Sequence, residues 1–400
     1  MKNIVIIGSG IGGLMAGNLL AKKGHKVIIF EAHSMPGGYT AGFYRKGYYF
    51  ESGTVAFEAS ASIFKAMKDI GVFEKIDFVK LESRFVSGDF DAIPRDYNDY
   101  KKSVYAGFPS DKEKLDMIFS DLDKIASLTG IMNKPMPYLY SGLEMLVSIL
   151  PYITSGPKLM KVVKQYGDIT SSEFAARYFE KDSKLFKLFS GFGYPDMSAM
   201  MVGSALSGLF TEMWTVKGGM QSWTDILAEN FRELGGELKL KSYVDRIITK
   251  NGAAVGVSCK NVIYDADFVI SAGDYKKILL KLIDDKSLIP QTLRDNIDRA
   301  YVSEGYFTVY LGLDMSNEEL CKYMKIPHVL VFGSKPGCDI YNSGDGEFFS
   351  KASAELCSPS MLNPELAPEG KSSLMLQTKA PYRWMNNWGG GDRRVYGQLK

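Results

Sequence analysis

Residues 4–31 read IVIIGSGIGGLMAGNLLAKKGHKVIIFE. The first four residues are all β-branched, which is typical of a strand buried on both faces of a parallel sheet. A glycine-rich turn follows at once, then an apolar pattern of helical period that ends before Gly24, and then a second apolar run at 27–30. This order predicts one strand–helix–strand unit, with the glycine turn between the first strand and the helix.

The glycine turn has the spacing of a dinucleotide-binding loop. Gly8, Gly10 and Gly13 form the pattern G-x-G-x-x-G, and Glu31 closes the second strand. In such a loop the first glycine makes a tight turn, the second lets a pyrophosphate approach the backbone, and the third allows close helix packing, while the acidic residue accepts from the ribose hydroxyls. A glycine turn without a ligand is the alternative, and the strand–turn–helix context argues against it.

The loop after Glu31 bears on which dinucleotide is bound. A 2′-phosphate favours an arginine here, yet residues 32–40 contain no Lys or Arg, so NADP is disfavoured. The pair Gly37–Gly38 leaves a backbone that a bulky ligand can approach. The sequence therefore predicts FAD as the cofactor. The predicted cofactor-binding residues in this part of the chain are Gly8, Ser9, Gly10, Ile11, Gly12, Gly13, Glu31, Ala32, His33, Gly37, Gly38, Tyr39 and Thr40.

These motifs resemble the phytoene desaturase, carotenoid isomerase and retinol saturase group of FAD oxidoreductases, within the amine oxidase superfamily. The similarity covers residues 8–54, then VKGGM at 216–220, residues 235–257 and VISAG at 269–273. It implies an α/β fold with a Rossmann-type, glutathione-reductase-like FAD-binding domain and a substrate domain of helices and a mixed or antiparallel sheet. It also implies cofactor contacts at Val244, Ala272 and Gly273.

The domain organisation follows from the order of these blocks. We expect a discontinuous FAD-binding domain at 1–80 and 214–280, and a substrate-binding domain at 81–213 and 281–400. Within the first, Leu238, Leu240 and Val244 alternate along one predicted strand, and Asn251–Gly252 signals a hairpin turn. This block is predicted to be a β-meander that returns through a buried strand ending at 271–273.

Three departures from the family pattern stand out. Tyr39 occupies a place where desaturases often carry arginine, as in some isomerase-like and saturase-like members, and this favours those over a standard desaturase. His33 stands where a longer base is common, so a ribose contact and a solvated loop histidine both stay open. The family's C-terminal glycine-rich segment, which covers the flavin, finds no match before Lys400, so we expect either a fragment of a longer protein or a site without that wall.

Composition excludes several other classes of protein. The 400 residues exceed the usual size of a single core, so two domains or one elaborated domain are expected. With 48 Lys and Arg against 46 Asp and Glu, the net charge of +2 offers no field for nucleic acid. The four cysteines and three histidines form no ligand cluster, so no metal is expected. The N-terminal apolar run is too short for a signal peptide, which indicates a cytoplasmic protein.

Two uncharged stretches in the middle of the chain point to an apolar partner. Residues 134–158 carry one acidic residue, Glu144, and are interrupted by prolines, which predicts a broken apolar hairpin rather than a membrane span. Lysines at 158, 161 and 164 follow, so peripheral membrane contact is one interpretation and a buried helix pair is the other. Residues 197–211 combine Met with small residues, which suits either a tunnel wall or close helix packing.

The remaining pattern predicts strands at 306–311, 328–332 and 372–377, in an antiparallel sheet that the resemblance makes the substrate floor. The aromatic loop at 382–391 is assigned no chemistry.

The resemblance implies hydride transfer between flavin N5 and an extended, apolar polyisoprenoid, that is, carotenoid desaturation, isomerisation or saturation. The catalytic acid or base stays unknown, with Arg45 and Glu51 as the polar candidates near the flavin loop. Three alternatives remain: an amine oxidase on the same scaffold, a non-enzymatic isoprenoid-binding protein, and an inactive fragment. No cluster of nucleophile, base and acid competes with the flavin.

Overall fold

The structure is a computed structural model that describes residues 1–132, 134–191, 197–300, 302, 305–333, 352–380 and 394. Two compact units make up the chain. The first comprises Met1–Ala56, Phe64–Val79 and Thr215–Tyr301, and the second comprises Phe57–Ile63, Lys80–Trp214 and the described part of Val302–Lys400. The loop predicted at 382–391 lies outside the described residues.

The strands are numbered β1 to β17 in chain order. They are Asn3–Ile7, Lys26–Phe30, Gly42–Arg45, Tyr48–Glu51, Phe78–Lys80, Arg84–Ser87, Phe90–Ala92, Trp214–Val216, Glu237–Lys239, Val244–Lys250, Ala253–Cys259, Val262–Asp265, Phe268–Ser271, Gly305–Leu313, His328–Val331, Ala354–Cys357 and Ser372–Ala380.

The α-helices are numbered α1 to α13 in the same way. They are Ile11–Lys22, Ser60–Ile70, Tyr97–Gly107, Lys112–Met132, Gly142–Tyr166, Ser171–Ala175, Lys184–Ser190, Ala199–Leu209, Met220–Glu233, Tyr275–Lys277, Gln291–Arg299, Asn317–Met324 and Pro359–Leu362.

A parallel sheet of order β13-β1-β2-β9 organises the first unit. Helix α1 crosses from β1 to β2 and packs on the sheet through Gly17, where an added Cβ would lie 2.7 Å from the Ile29 side chain. The predicted strand–helix–strand unit is present, and the carboxyl ends of β1, β2 and β13 meet at one edge of the sheet. This edge is where α/β folds place their ligands.

The meander β10-β11-β12 also belongs to the first unit. Asn251 and Gly252 both have positive φ, as a tight hairpin turn between β10 and β11 requires. The prediction of one alternating strand through Leu238 and Val244 is wrong. The chain leaves the parallel sheet after β9 and starts a new strand at Val244, because Lys241 takes a positive φ between them.

The unit borders differ from the predicted ones at two places. Residues 281–301 pack in the first unit, where the Asp284 N–H donates to Ile247 O (3.1 Å) and the Asp284 carboxylate accepts from Thr249 N–H. Residues 57–63 pack in the second, where Phe57 and Trp214 exchange backbone hydrogen bonds of 2.8 and 2.9 Å. These hydrogen bonds thus set both unit borders, and the sequence pattern did not predict them.

A six-stranded sheet of order β14-β17-β16-β15-β6-β7 forms one layer of the second unit. It is mixed, because β15 pairs in parallel with β6 while its other neighbour, β16, is antiparallel. The prediction of an antiparallel sheet is therefore wrong for one strand pair, β15 with β6. The helices share an apolar core with this sheet, in which Phe85 of β6, Tyr100 of α3 and Phe186 of α7 are fully buried.

Helix α5 corrects the prediction of a hairpin broken by prolines. It continues through Pro151 and Pro157 as one helix of 25 residues, since each proline removes one N–H donor and the rest of the ladder persists. Its first half is not a buried helix pair either, because Leu143 is 76% exposed and Ile153 is 63% exposed.

Helix α8 covers most of residues 197–211, for which a tunnel wall and close helix packing were the two interpretations. An added Cβ at Gly203 would lie 3.0 Å from the Ile125 side chain of α4, so the small residues allow close helix packing. Ala205 and Leu209 of the same helix line a cavity of the second unit. The stretch therefore packs closely on α4, and two of its residues also line that cavity.

Candidate functional site

The glycine turn ends β1 and begins α1. Gly8 has φ +102°, a conformation that favours glycine, and its N–H donates to Phe30 O at 2.8 Å. A Cβ at Gly13 would lie 2.0 Å from Gly8 O, so this position admits no side chain. A Cβ at Gly10 would meet nothing within 4 Å, which leaves open space in front of the helix. Gly8 therefore makes the tight turn and Gly13 the close packing that their spacing predicts, and Gly10 leaves space beside its backbone.

Glu31 is buried at the end of β2 and holds the turn from the other side. Its Oε2 accepts from the N–H and the hydroxyl of Ser9, both at 2.8 Å, and its Oε1 accepts from the His33 N–H at 2.9 Å. Burial opposes ionisation, but the hydrogen bonds from His33 and Ser9 outweigh it and lower the pKa of Glu31. Glu31 is therefore a carboxylate at neutral pH.

The paired glycines fold back on the turn. Gly37 has φ +127° and donates its N–H to Ser9 O at 2.9 Å, while Gly38 lies so close to Gly10 that an added Cβ would be 3.2 Å from the Gly10 Cα. The Thr40 hydroxyl donates to Gly37 O at 2.6 Å and holds this loop in place.

These segments enclose a cavity of about 690 Å³ in the first unit. Thirteen of the sixteen residues predicted for the cofactor line it: Gly8, Gly10, Ile11, Gly12, Glu31, Ala32, Gly37, Gly38, Tyr39, Thr40, Val244, Ala272 and Gly273. The other three, Ser9, Gly13 and His33, stand behind the lining, where Ser9 and His33 bind Glu31 and Gly13 packs on Gly8. His33 thus acts through its backbone.

Sequence reasoning missed a further group of lining residues. They flank the predicted Val244 and Gly273 and are Ser242, Tyr243, Asp274, Tyr275 and Lys277. The Lys277 ammonium lies 4.8 Å from the centre of the Tyr243 ring, in a cation–π contact. The sequence could have indicated them only through their positions beside Val244 and Gly273, because no spacing rule links the segment at 242–244 to the segment at 273–277.

The cavity fits a dinucleotide. No acidic side chain stands in the first turn of α1, and its N-cap residue, Gly10, has no side chain that could cap the helix. The first N–H groups of the helix and its positive dipole end are thus left for an anion. Glu31 supplies a carboxylate at the edge where a ribose would lie.

The sequence pattern of the family described as flavin containing amine oxidoreductase matches residues 11–388. The chain belongs to this family. The family is flavin-containing, in agreement with the dinucleotide cavity.

Individual relatives within this flavin family are distant. The 4,4'-diapophytoene desaturase (4,4'-diapolycopene-forming) of Methylomonas sp is 25% identical over 413 residues, which cover 99% of this chain and 76% of that protein. The chloroplastic prolycopene isomerase of Daucus carota is 24% identical over 422 residues, covering 99% of this chain and 64% of that protein. The chain therefore spans about two thirds to three quarters of the length of these relatives.

A solved structure of an oxidoreductase from Methanosarcina mazei has the same fold as this flavin-family chain. It superposes with a TM-score of 0.64 at 17% sequence identity, over 99% of this chain and 82% of that one. The α/β architecture, with its parallel sheet and its mixed-sheet unit, is thus that of the family.

Glu51, one of the two polar candidates for chemistry, has a structural role. It is buried, its Oε1 accepts from the Met220 N–H at 2.9 Å, and its Oε2 accepts from the Tyr49 hydroxyl at 2.7 Å. Burial raises the pKa of Glu51 to about 8. It caps the start of α9, while Arg45 is exposed at the end of β3. Neither lines the dinucleotide cavity.

Among the described residues, no group of three or more His, Cys, Asp or Glu side chains is arranged to hold a metal ion. Within those same ranges no helix combines the length and apolarity needed to cross a membrane.

Proposed function

We propose that this protein is an FAD-dependent oxidoreductase that acts on a long apolar polyisoprenoid. The observation that carries the proposal is the cavity of the first unit, where Gly8, Gly13 and Glu31 have the geometry of a dinucleotide site. Bound FAD would supply hydride transfer at flavin N5.

Different residues of the cavity would bind different parts of FAD. The N-terminus of α1 would bind the pyrophosphate, since its N–H groups are uncapped by any side chain. Glu31 would accept from the ribose hydroxyls through the lone pairs that Ser9 and His33 leave free. The small residues Ala272 and Gly273 would let the cofactor approach the end of β13, and Val244 would pack on its adenosine side.

The substrate class rests on relatives and on composition. The desaturase and the isomerase named above act, by their names, on carotenoids, and this chain aligns with both over 99% of its length. The second unit has a cavity lined by apolar side chains such as Leu209, Leu330 and Phe332. A polyisoprenoid is held there by burial of apolar area, at roughly 25 cal/mol per Å².

Helix α5 would bring the protein to a membrane, where such substrates dissolve. Exposed apolar residues recur along its first half, among them Leu143, Leu146, Leu150 and Ile153. Exposed lysines at 158, 161 and 164 follow on the same helix. This combination of an apolar stripe and basic side chains favours the surface of an anionic bilayer.

The test uses the purified chain and free FAD. We expect the protein to bind FAD from solution, and a carotenoid in detergent micelles to change the flavin spectrum or its own double-bond geometry without oxygen. Gly13→Ala, which cannot form the cavity, is the control without cofactor. If a small primary amine reduces the flavin rapidly and no polyene does, the protein is an amine oxidase. If no FAD binds, the oxidoreductase proposal is wrong.

A further inference from the structure

The cavity of the second unit contains two carboxyl groups that the cofactor site does not use. Its volume is about 220 Å³, and its lining is mainly apolar. Glu58 and Glu355 both line it, together with His328, Gln377 and Lys379. All of these residues belong to the second unit.

The sheet register explains why several of these side chains meet. Glu355 of β16 stands opposite Leu330 of β15 on one side and opposite Gln377 of β17 on the other. His328 lies two residues before Leu330, so it projects from the same face of the sheet. That face forms one wall of the cavity.

His328 is fully buried and connects Glu355 to the protein interior. Its Nε2 lies 2.8 Å from Glu355 Oε1, and its Nδ1 lies 2.8 Å from the hydroxyl of Ser83. Both ring nitrogens of His328 therefore have a hydrogen-bond partner, the Ser83 hydroxyl at Nδ1 and the Glu355 carboxylate at Nε2. Ser83 does not line the cavity, so this is not a nucleophile with its base. It is a chain of hydrogen bonds that orients one carboxylate.

The pKa values of the two carboxyl groups are shifted in opposite directions. For Glu355, burial opposes ionisation, but the hydrogen bond and the charge interaction with His328, followed by the charge of Lys379, outweigh it, and the pKa is lowered. For Glu58, desolvation raises the pKa, and no hydrogen-bond partner for this side chain is found in the described ranges. When the pKa values of two neighbouring carboxyl groups are shifted in opposite directions, one group is suited to act as an acid and the other as a base.

We propose that this cavity is a proton-transfer site for a conjugated polyene, in which Glu58 donates a proton to a double-bond carbon and Glu355 removes a proton from another carbon. The proposal rests on the proposed function for its ligand class and adds a reaction that needs no change of oxidation state.

The step balances without an oxidant or reductant. The π electrons of one double bond form the new C–H bond with the proton of Glu58, which becomes a carboxylate. The positive charge spreads along the conjugated chain, and the Glu355 carboxylate stabilises it across the apolar cavity. Transfer of a proton to Glu355 returns the C–H electron pair to the chain, so a double bond is shifted or its geometry changed. Solvent then restores both carboxyl groups.

The test measures deuterium in the polyene, which does not depend on flavin reduction. The full chain is incubated with lycopene in detergent micelles in D2O, without oxygen, and lycopene is analysed by mass spectrometry. We expect deuterium uptake above a protein-free control, and a loss of roughly 100-fold in rate for Glu58→Gln and for Glu355→Gln. Glu369→Gln, an exposed position in the same unit, should match the wild type.

His328 is a positioning residue and has its own signature. Removal of its hydrogen bond in His328→Leu should raise the pKa of Glu355, so the low-pH limb of the exchange rate moves to higher pH. Ser83→Ala should move that limb less, because it removes only the outer hydrogen bond. Glu355→Asp should recover part of the rate, since it restores a carboxylate.

The outcomes separate the two proposals. If lycopene changes the flavin spectrum but gains no deuterium, or if both Gln variants exchange as fast as the wild type, the proton-transfer site is wrong and the oxidoreductase proposal stands. If the wild type binds no lycopene, as followed by the polyene absorbance, both proposals fail.

Discussion

The two cavities described above, one in each unit, are built from different kinds of groups. One wall of the cavity of the first unit is formed by two glycine-rich segments, residues 8–13 and 37–40, around Glu31. In the second unit the polar group at the cavity consists of side chains, and His328 in its lining binds Ser83 behind it, 245 residues away in sequence. A site built on backbone conformation is encoded locally, whereas a site built on side chains depends on the sheet that brings them together.

A buried carboxyl of the first unit, Glu51, adds to this contrast, because it lines neither cavity and its hydrogen bonds hold Tyr49 and the start of α9. The pKa of Glu51 is raised from 4.5 to about 8 in the folded state. Between these two pH values Glu51 is ionised in the unfolded chain but stays protonated in the folded chain. The free energy of unfolding therefore falls as the pH rises. At about 1.4 kcal/mol per pH unit, the loss from pH 4.5 to pH 8 is roughly 4 kcal/mol.

Glu51→Gln should remove most of this slope, since Gln keeps an acceptor for the Met220 N–H. Denaturant unfolding at several pH values checks this, with exposed Glu74→Gln as control. An unchanged slope in Glu51→Gln would mean that Glu51 is not the titrating group.

Gly13→Ala tests whether the first cavity depends on backbone alone. The added methyl group would lie 2.0 Å from Gly8 O, so the turn must move. We expect the free energy of unfolding to fall by about 3 kcal/mol and FAD uptake to be lost. Gly12→Ala is the stability control, because a Cβ there meets nothing within 4 Å. Equal stability of the two variants would contradict the close packing at Gly13.

Glu31→Ala removes the one charged side chain that the glycine motif predicts. Binding of FAD should weaken by about 2 kcal/mol, the scale of hydrogen bonds to a charged group. Quenching of flavin fluorescence gives the dissociation constant, and Glu229→Ala, an exposed change in the same unit, serves as the reference. The same affinity in both variants would remove Glu31 from the ribose site.

The smallest effect is expected at helix α5, which is part of neither cavity lining. Leu150→Ala removes apolar area from an exposed position and should weaken binding to anionic vesicles by about 1 kcal/mol, or roughly fivefold. Met117→Ala, on exposed surface of α4, should leave vesicle binding unchanged. Equal losses in the two variants would show that vesicle binding is not specific to the stripe on α5.

The sequence predicted what short-range patterns encode. The first strand–helix–strand unit and the Asn251–Gly252 turn follow from local spacing and from residues that accept positive φ. The parallel pairing of β15 with β6 could not be predicted, because it joins segments about 245 residues apart. Helix α5 was missed for another reason: proline weakens a helix by one hydrogen bond at a time, and a long helix tolerates the loss.

The order β13-β1-β2-β9 has a consequence for folding during synthesis. Strand β1 finds one neighbour, β2, within the first 30 residues, but its other edge stays open until Phe268–Ser271 leave the ribosome. At a synthesis rate of about 5 to 20 residues per second, that edge stays unpaired for roughly 10 to 50 s. An open edge of Ile and Val is a template for pairing with another chain. Over this interval the nascent chain exposes that edge, and the cavity beside residues 8–12 still lacks its wall at Ala272 and Gly273.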